Sequence, residues 1–208
     1  MGKRSDFERI ERDFYRTPKK AVLPLIPFLP KPFHYVEPCA GDGFLSDHLS
    51  SLGGLCAGES DIHPVSNMSE EFLPDGRYLP TALDLFDMTT DMVSGANVII
   101  TNPPWTRTKA SGYLLHRIIE HLAHLKETWL LLDSDWMHTV QATPYMERYM
   151  MRAVAIGRVK WIEGSKHTGK DNCCWYQFHK DARDILPRPL FYGRGIGPVQ
   201  NTSRIWTN

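Results

Sequence analysis

The chain has 208 residues, of which 42% are hydrophobic and 23% charged, and its 24 Lys plus Arg balance its 24 Asp plus Glu. Those values fit a soluble globular protein with a sizeable core, expected to be one domain over residues 1–208. They exclude a nucleic-acid binder held by a global positive field, so any polyanion contact must rest on a local patch. No apolar run approaches the roughly 20 residues that span a bilayer. The polar stretch Met1–Arg12 does not read as a signal peptide. The cysteines, Cys39, Cys56, Cys173 and Cys174, lack C-x-x-C spacing. That argues against zinc and against a disulfide framework, and fits a reducing cytoplasm. The expectation is a cytoplasmic protein with no metal and no membrane partner, either a monomer or a weak dimer.

The first dozen residues alternate in charge and read as a solvated end. Asp13-Phe14-Tyr15-Arg16-Thr17-Pro18 follows, with Thr17 expected to cap a helix that begins at Pro18 and runs from Lys19 to Phe28. Pro24 and Pro27 should bend or shorten it. His34-Tyr35-Val36 reads as a strand, and Phe44 to Leu52 has helical apolar spacing. Between them lies Glu37-Pro38-Cys39-Ala40-Gly41-Asp42-Gly43. Strand, glycine turn and helix open a doubly wound α/β unit. The third glycine of the dinucleotide fingerprint is missing. Glu37 and Asp42 would repel a pyrophosphate and suit a ligand carrying ammonium or sulfonium charge. S-adenosylmethionine carries both.

Leu55 to Gly58 is the second strand, ending in Glu59-Ser60-Asp61-Ile62. An acid at that place, about 20 residues after the glycine turn, suits a ribose diol. Asp61 is the first choice and Glu59 the second; the alternative is a loop carboxylate capping a turn before Pro64. Ser66 to Gly76 reads as a polar loop or short helix. Tyr78 to Leu83 is a third strand, followed by Asp84-Leu85-Phe86-Asp87. Asp84 is placed to accept from an adenine 6-amino group, with Ile62 and Phe86 on either side of the ring.

Val98-Ile99-Ile100 is a short apolar run, as in a parallel strand buried on both faces. It stops at Asn102-Pro103-Pro104. Neither proline can donate a ladder hydrogen bond, and each pushes the residue before it out of the helical region. The result is a stiff, extended corner at a strand's carboxyl end, where ligands of open α/β sheets sit. The exocyclic amine of a base is a poor nucleophile because its lone pair is delocalised. Two acceptors on its N–H groups, the Asn102 side-chain oxygen and the Pro103 carbonyl, would favour the electron-rich form of a methyl-transfer transition state. Trp105 offers a face for base stacking, worth roughly 1–3 kcal/mol. The alternative is a plain Pro-Pro turn with Trp105 in the core.

A polar loop with Arg107 and Lys109 precedes a helix from about Ala110 to Leu125. His121 and His124 on it lack a third ligand, so no metal is expected. Thr128 to Leu132 is a buried strand, ending in Asp133-Ser134-Asp135-Trp136. Met137 to Arg152 has helical character interrupted by Pro144, and Ala153 to Ile162 reads as a strand. Gly164 to Lys170 is a basic loop leading into the aromatic strand Cys173 to Phe178. Arg107, Lys109, Lys166 and Lys170 are candidates for phosphate contacts on one rim; such contacts position a nucleic acid without specifying its sequence. Pro187 to Asn208 reads as irregular.

The ordered set D-F-Y-R-T-P, E-P-C-A-G-D-G, Asp61, D-L-F, T-N-P-P-W, L-L-D-S-D-W and D-N-C-C-W-Y-Q-F resembles the class I S-adenosylmethionine-dependent amino-methyltransferases. In particular it resembles the small phage-type DNA adenine-N6 methyltransferases, over roughly Asp13 to Phe178. The resemblance implies an α/β, Rossmann-like fold with a mostly parallel sheet of about seven strands flanked by helices. It implies that Tyr15, Thr17 and Pro18 close over the methionine end of the cofactor. Glu37, Ala40, Gly41 and Gly43 become its cradle, Asp61 and Ile62 its ribose and adenine contacts, and Asp84 with Leu85 its adenine amine contact. Asn102, also beside the cofactor, forms the catalytic corner with Pro103, Pro104 and Trp105. Phe178 or Trp175 becomes the second wall of the target-base pocket. A long target-recognition segment, usual in members that read a duplex site, is not apparent. Relaxed specificity, or a base taken from an open strand, is therefore expected.

The expected activity is methyl transfer from S-adenosylmethionine to the adenine 6-amino nitrogen of duplex or single-stranded DNA, in a bacterial or phage-encoded protein. Rival acceptors are RNA adenine, the cytosine 4-amino group and a protein glutamine amide. A rival of another class is a non-catalytic nucleic-acid-binding module.

Overall fold

The structure, a computed structural model, describes residues 15–64, 81–105, 114–162, 169 and 171–198. Its centre is a sheet built from β1 (His34–Glu37), β2 (Leu55–Asp61), β3 (Thr81–Ala82), β4 (Val98–Thr101), β5 (Thr128–Asp133), β6 (Met150–Arg158), β7 (Asn172–Phe178) and β8 (Leu190–Tyr192). The strand order is β3-β2-β1-β4-β5-β7-β6-β8. Pairings from β3 through to β5 are parallel, while β7 runs antiparallel to both β5 and β6. This is the doubly wound order with one reversed strand inserted between the fifth and sixth. The mostly parallel α/β sheet expected from the sequence is present. An eighth strand, β8, pairs parallel to β6 in the stretch read as irregular.

Hydrophobic alternation explains the layers. All four residues of β4 are buried. Its Val98 and Ile100 join Tyr35, Trp129 and Leu131 on one face, under Ala21, Val22, Leu25, Leu45 and Leu49. Ile99 joins Leu130, Leu132 and Tyr176 on the other, under Ile118, Ile119 and Leu122. The first face is covered by α1 (Lys19–Val22) and α2 (Phe44–Ser51). The second is covered by α3 (Leu114–Leu125) and α4 (Thr143–Tyr149). A last short helix, α5 (Ala182–Ile185), follows β7. Burial on both faces is why these strands read as continuous apolar runs.

Several boundaries differ from the sequence reading, among them the end of β2, which runs on to Asp61. The first helix spans only Lys19–Val22, and a 3₁₀ turn takes Ile26–Phe28. Pro24 and Pro27 lack the N–H that a continuous helix needs. Pro18, not Thr17, occupies the cap position, and no side chain caps it. The stretch expected to be helical from Met137 breaks into 3₁₀ turns, then α4, and β6 already begins at Met150. Pairing with β7 and β8 overrides local helical propensity there.

The two aromatic residues assigned to a base pocket are core residues. Trp175 is fully buried, and its indole N–H donates to the Ala21 carbonyl at 2.7 Å, beneath α1. Phe178 is fully buried and pairs with Thr128, the first residue of β5. It therefore sits at the opposite end of the sheet from Asn102. The two rings point to opposite faces of β7, and each enters a hydrophobic layer, which cannot be read without the neighbouring elements. Trp175→Ala should accordingly destabilise the fold by about 3–5 kcal/mol, seen as a lower urea midpoint. A midpoint shift worth less than about 1 kcal/mol would show that the ring is not a core anchor.

Candidate functional site

Parallel strands end at a common edge, and their last residues converge. Glu37, Asp61 and Thr101 terminate β1, β2 and β4. A cavity of about 450 Å³ opens there, and its wall includes Tyr15, Thr17, Glu37, Ala40, Gly41, Asp61, Ile62, Asp84, Leu85, Asn102 and Pro104. Those are most of the residues that the sequence pointed to for a cofactor. Pro18 and Gly43 stand behind the wall: Pro18 caps α1, and Gly43 caps α2. Pro103 is buried behind its neighbours.

The glycine turn after β1 works through backbone geometry. Gly41 and Gly43 hold φ of 57° and 78°, a left-handed region that side chains disfavour. That shape presents the Gly41 N–H to the Asp61 carboxylate at 2.9 Å. The other Asp61 oxygen accepts from the His63 N–H at 2.8 Å. Asp61 thus locks the first turn to the second. A carboxylate has about four acceptor positions, so capacity remains for a ligand's hydroxyls. Asp84 spends one oxygen on the Phe86 N–H at 3.0 Å, which starts a 3₁₀ turn. Phe86 and Ile62 both line the cavity. The Arg117 guanidinium lies over the Phe86 ring at 4.5 Å and steadies it.

The cavity is acidic. Glu37, Asp42, Asp61 and Asp84 all line it. Arg16, also on its wall, is committed to Asp42 in a 2.6 Å ion pair and packs over the Phe44 ring. Glu37 is 1% exposed, and its Oε2 has no partner among the described residues. Burial pushes its carboxyl well above the ordinary range, and Glu59 and Asp61 add to the rise. A buried acceptor with no donor, surrounded by other carboxylates, fits a ligand that brings positive charge. Cys39 is also on the wall, but burial raises its thiol far from ionisation, with Asp61 adding to the effect. A thiol held neutral is a poor nucleophile.

At the Asn102 corner the amide is oriented by the segment Tyr15–Thr17, which crosses from the cavity wall into α1. Asn102 Nδ2 donates to the Thr17 hydroxyl at 3.2 Å and to the Tyr15 carbonyl at 3.4 Å. Trp105 is anchored by its indole N–H on the Leu131 carbonyl at 2.9 Å. The half-buried Trp161 meets it edge-to-face, with centroids 5.5 Å apart at 87°, and Tyr15 meets Trp161 at 6.3 Å. Gly169 makes this packing possible: a Cβ there would come within 2.8 Å of the Val159 carbonyl oxygen and 3.2 Å of the Trp161 ring.

Trp161 and the Arg16–Asp42 pair were missed by sequence reasoning. Trp161 was hidden inside a run read as strand, whereas β6 stops at Arg158. Arg16 lay in a charge-rich segment that gives no sign of its partner 26 residues away. Arg107, Lys109, Lys166 and Lys170 lie outside the described residues. Among the described residues no three His, Cys, Asp or Glu side chains gather as a metal site, and no helix is long and apolar enough to cross a membrane.

Solved structures align with this chain, one of them with a TM-score above 0.5. A chain from a type I restriction-modification system aligns with a TM-score of 0.51 at 14% identity, covering 93% of this chain and 49% of that one. This is the class I methyltransferase fold. A type IIG restriction endonuclease aligns at 0.49 with 14% identity over 79% of this chain and 25% of that one. A dimethyladenosine transferase from Plasmodium falciparum aligns at 0.47 with 16% identity over 83% and 65%. The chain thus spans about half the length of the first of these structures. No protein-family model and no curated protein matches the sequence. Within this fold the acidic cavity lies at the carboxyl ends of β1 and β2, and the Asn102 corner stands at the end of β4.

The buried Glu37 makes stability depend on pH. Its pKa is raised on folding, so its contribution is fully present below the ordinary carboxylate range and lost as pH rises through the raised value. Glu37→Gln removes that loss. The melting temperature of Glu37→Gln should therefore gain on the wild type between about pH 5 and pH 8, in the ligand-free protein. Parallel melting curves across that range would show that Glu37 is not buried in neutral form.

Proposed function

We propose that this chain is an S-adenosylmethionine-dependent methyltransferase acting on the 6-amino nitrogen of adenine in DNA. The observation that carries the reading is the Asn102 amide. A carbonyl can only accept, so the Tyr15 carbonyl demands the nitrogen end of the amide. The oxygen end is left as an acceptor, engaged by no described residue, on the wall of an acidic cavity. That is the group an exocyclic amine needs when its lone pair must be made available.

When bound, S-adenosylmethionine supplies a methyl group activated by its sulfonium. The residues of this chain do the rest. Glu37 holds a carboxylate where a ligand ammonium would relieve its burial, and Asp61 and Asp84 offer acceptors to a ribose and an adenine amine. Asn102 Oδ1 and the Pro103 carbonyl accept the two amine hydrogens of the target. Held by Glu37, Asp61 and Asp84, the cofactor would supply its methyl group to that amine nitrogen and keep the electrons of the carbon–sulfur bond as a thioether. The surplus proton on nitrogen leaves to solvent. No protein nucleophile is needed.

A planar base suits the corner better than an aliphatic amide, because Trp105 and Trp161 together offer aromatic surface for stacking. In a duplex the base must first leave the stack, at a cost of a few kcal/mol. Arg107, Lys109, Lys166 and Lys170 belong to the same proposal as phosphate contacts. The single-domain reading of residues 1–208 and a cytoplasmic setting, bacterial or phage-encoded, belong to it too.

Incubation with tritiated S-adenosylmethionine and unmethylated DNA should place label in N6-methyl-2′-deoxyadenosine after digestion to nucleosides. Label confined to RNA, to cytosine or to glutamine in parallel incubations would move the assignment to that acceptor. Asn102→Ala should lower turnover roughly a hundredfold or more, with the cofactor Kd within a few fold of wild type. Near-wild-type turnover by Asn102→Ala would remove this corner from the chemistry. Trp161→Ala should raise KM for DNA roughly tenfold, the equivalent of one lost stacking contact, and leave cofactor affinity in place. An unchanged KM for DNA would place Trp161 outside the base pocket.

A further inference from the structure

Thr17 stands where a helix cap is expected, yet its side chain caps nothing. It is 2% exposed and lines the cavity. Its hydroxyl oxygen accepts from Asn102 Nδ2 at 3.2 Å, across 85 residues of sequence. A buried hydroxyl diverted from its local helix to a distant side chain calls for a reason other than helix stability.

Asn102 supplies that reason. An amide side chain can present either its oxygen or its nitrogen, and only the oxygen can receive an amine hydrogen. The Tyr15 carbonyl at 3.4 Å is a long partner, weak by itself. The Thr17 hydroxyl at 3.2 Å is the closer one. Together they make one end of the amide the nitrogen end. They also tie that choice to the segment Tyr15–Thr17, all three residues of which line the cavity. The segment is held at its other point by the Arg16–Asp42 ion pair on the glycine turn. A ligand filling the cavity therefore bears on the same three residues that set the amide.

We propose that Thr17 is a positioning residue for Asn102, and that the segment Tyr15–Thr17 couples occupancy of the cavity to the orientation of that amide. The inference rests on the methyltransferase reading for its consequence in turnover, but not for the orientation itself. Thr17 does not touch the reacting atoms. Its effect passes through the Asn102 amide, so it belongs to turnover at saturation and not to cofactor affinity alone.

The test uses the full chain labelled with ¹⁵N, with the Asn102 side-chain resonances assigned by their loss in Asn102→Asp. S-adenosylhomocysteine is the added ligand. In the wild type the Nδ2 resonances should shift on its addition, and their hydrogen exchange should slow. Thr17→Val keeps the shape and removes the acceptor; it should speed Nδ2 exchange roughly tenfold, the equivalent of one hydrogen bond, and abolish the ligand-induced shift. Thr17→Ser should restore both. In methyl transfer, Thr17→Val should lower kcat at saturating cofactor roughly tenfold, whatever change it makes to the S-adenosylhomocysteine Kd.

A folded Thr17→Val whose Asn102 resonances and exchange match the wild type overturns the proposal. So does a loss confined to cofactor Kd, with kcat intact, which would make Thr17 a ligand contact only. So does absence of any ligand-induced shift in the wild type. The outcomes separate from those of the functional reading. If the wild type transfers no methyl to DNA but Thr17→Val moves the resonances, the acceptor is misassigned and the positioning stands. If methyl transfer to DNA proceeds while Thr17→Val leaves kcat and resonances unchanged, the functional reading stands and the positioning fails.

Discussion

The site depends on one tertiary hydrogen-bonded junction, the amide of Asn102 against Tyr15 and Thr17. The strand before Asn102 is buried on both faces and cannot shift without disturbing both hydrophobic layers. The two prolines after it remove backbone freedom and donors. One side of the junction is therefore rigid. The other side is a short segment whose attachment is mostly side-chain chemistry: one hydroxyl, one carbonyl and one ion pair. Rigid placement of the acceptor, with its orientation set from a second segment, is how a weak nucleophile gains a defined partner at little reorganisation cost.

The electrostatics of the cavity follow from topology. A parallel sheet gathers strand ends at one edge, so acids at those ends accumulate whether or not they are near in sequence. Asp61 is partly neutralised by two backbone N–H groups, and Asp42 by Arg16. Glu37 is compensated only by Ser46, too little to offset its burial, its Oε2 has no partner among the described residues, and it is the most buried of the four. The cavity thus carries a specific deficit, one buried acceptor without a donor, not a diffuse negative field. A ligand is selected by the group that fills the deficit.

Aromatic side chains divide by strand geometry. Trp175 and Phe178 both lie on β7, and every residue from Cys173 to Phe178 is buried because a hydrophobic layer covers each face of this interior strand. Trp161 lies beyond the end of β6, half-buried against the edge of one hydrophobic layer, where it reaches Trp105. The distinction is positional: all three are large aromatic residues on or near strands, and only the layers around them separate a fully buried anchor from a half-buried ring.

Much of this was legible in one dimension. Apolar runs of four to six residues bounded by Gly and Pro marked the parallel strands, because burial on both faces leaves no room for polar alternation. The glycine turn, Asp61, Asp84 and Asn102 stood at strand ends, where short-range chemistry marks them and topology brings them together. What could not be read was anything that depends on which strand neighbours which, or which way a side chain faces across many residues. Thr17 looked like a helix cap because its local partners are the only ones a sequence displays. Its actual partner is 85 residues away. Trp175 is a core residue and Trp161 packs against Trp105 for the same reason. The sequence by itself determined the α/β class, the strand ends and the chemistry of the acids and the amide, since those follow from residue type and local spacing. Only the tertiary structure decided the reversed β7, the outward Trp161 and the orientation of Asn102, since each is set by contacts between segments that chain order keeps apart.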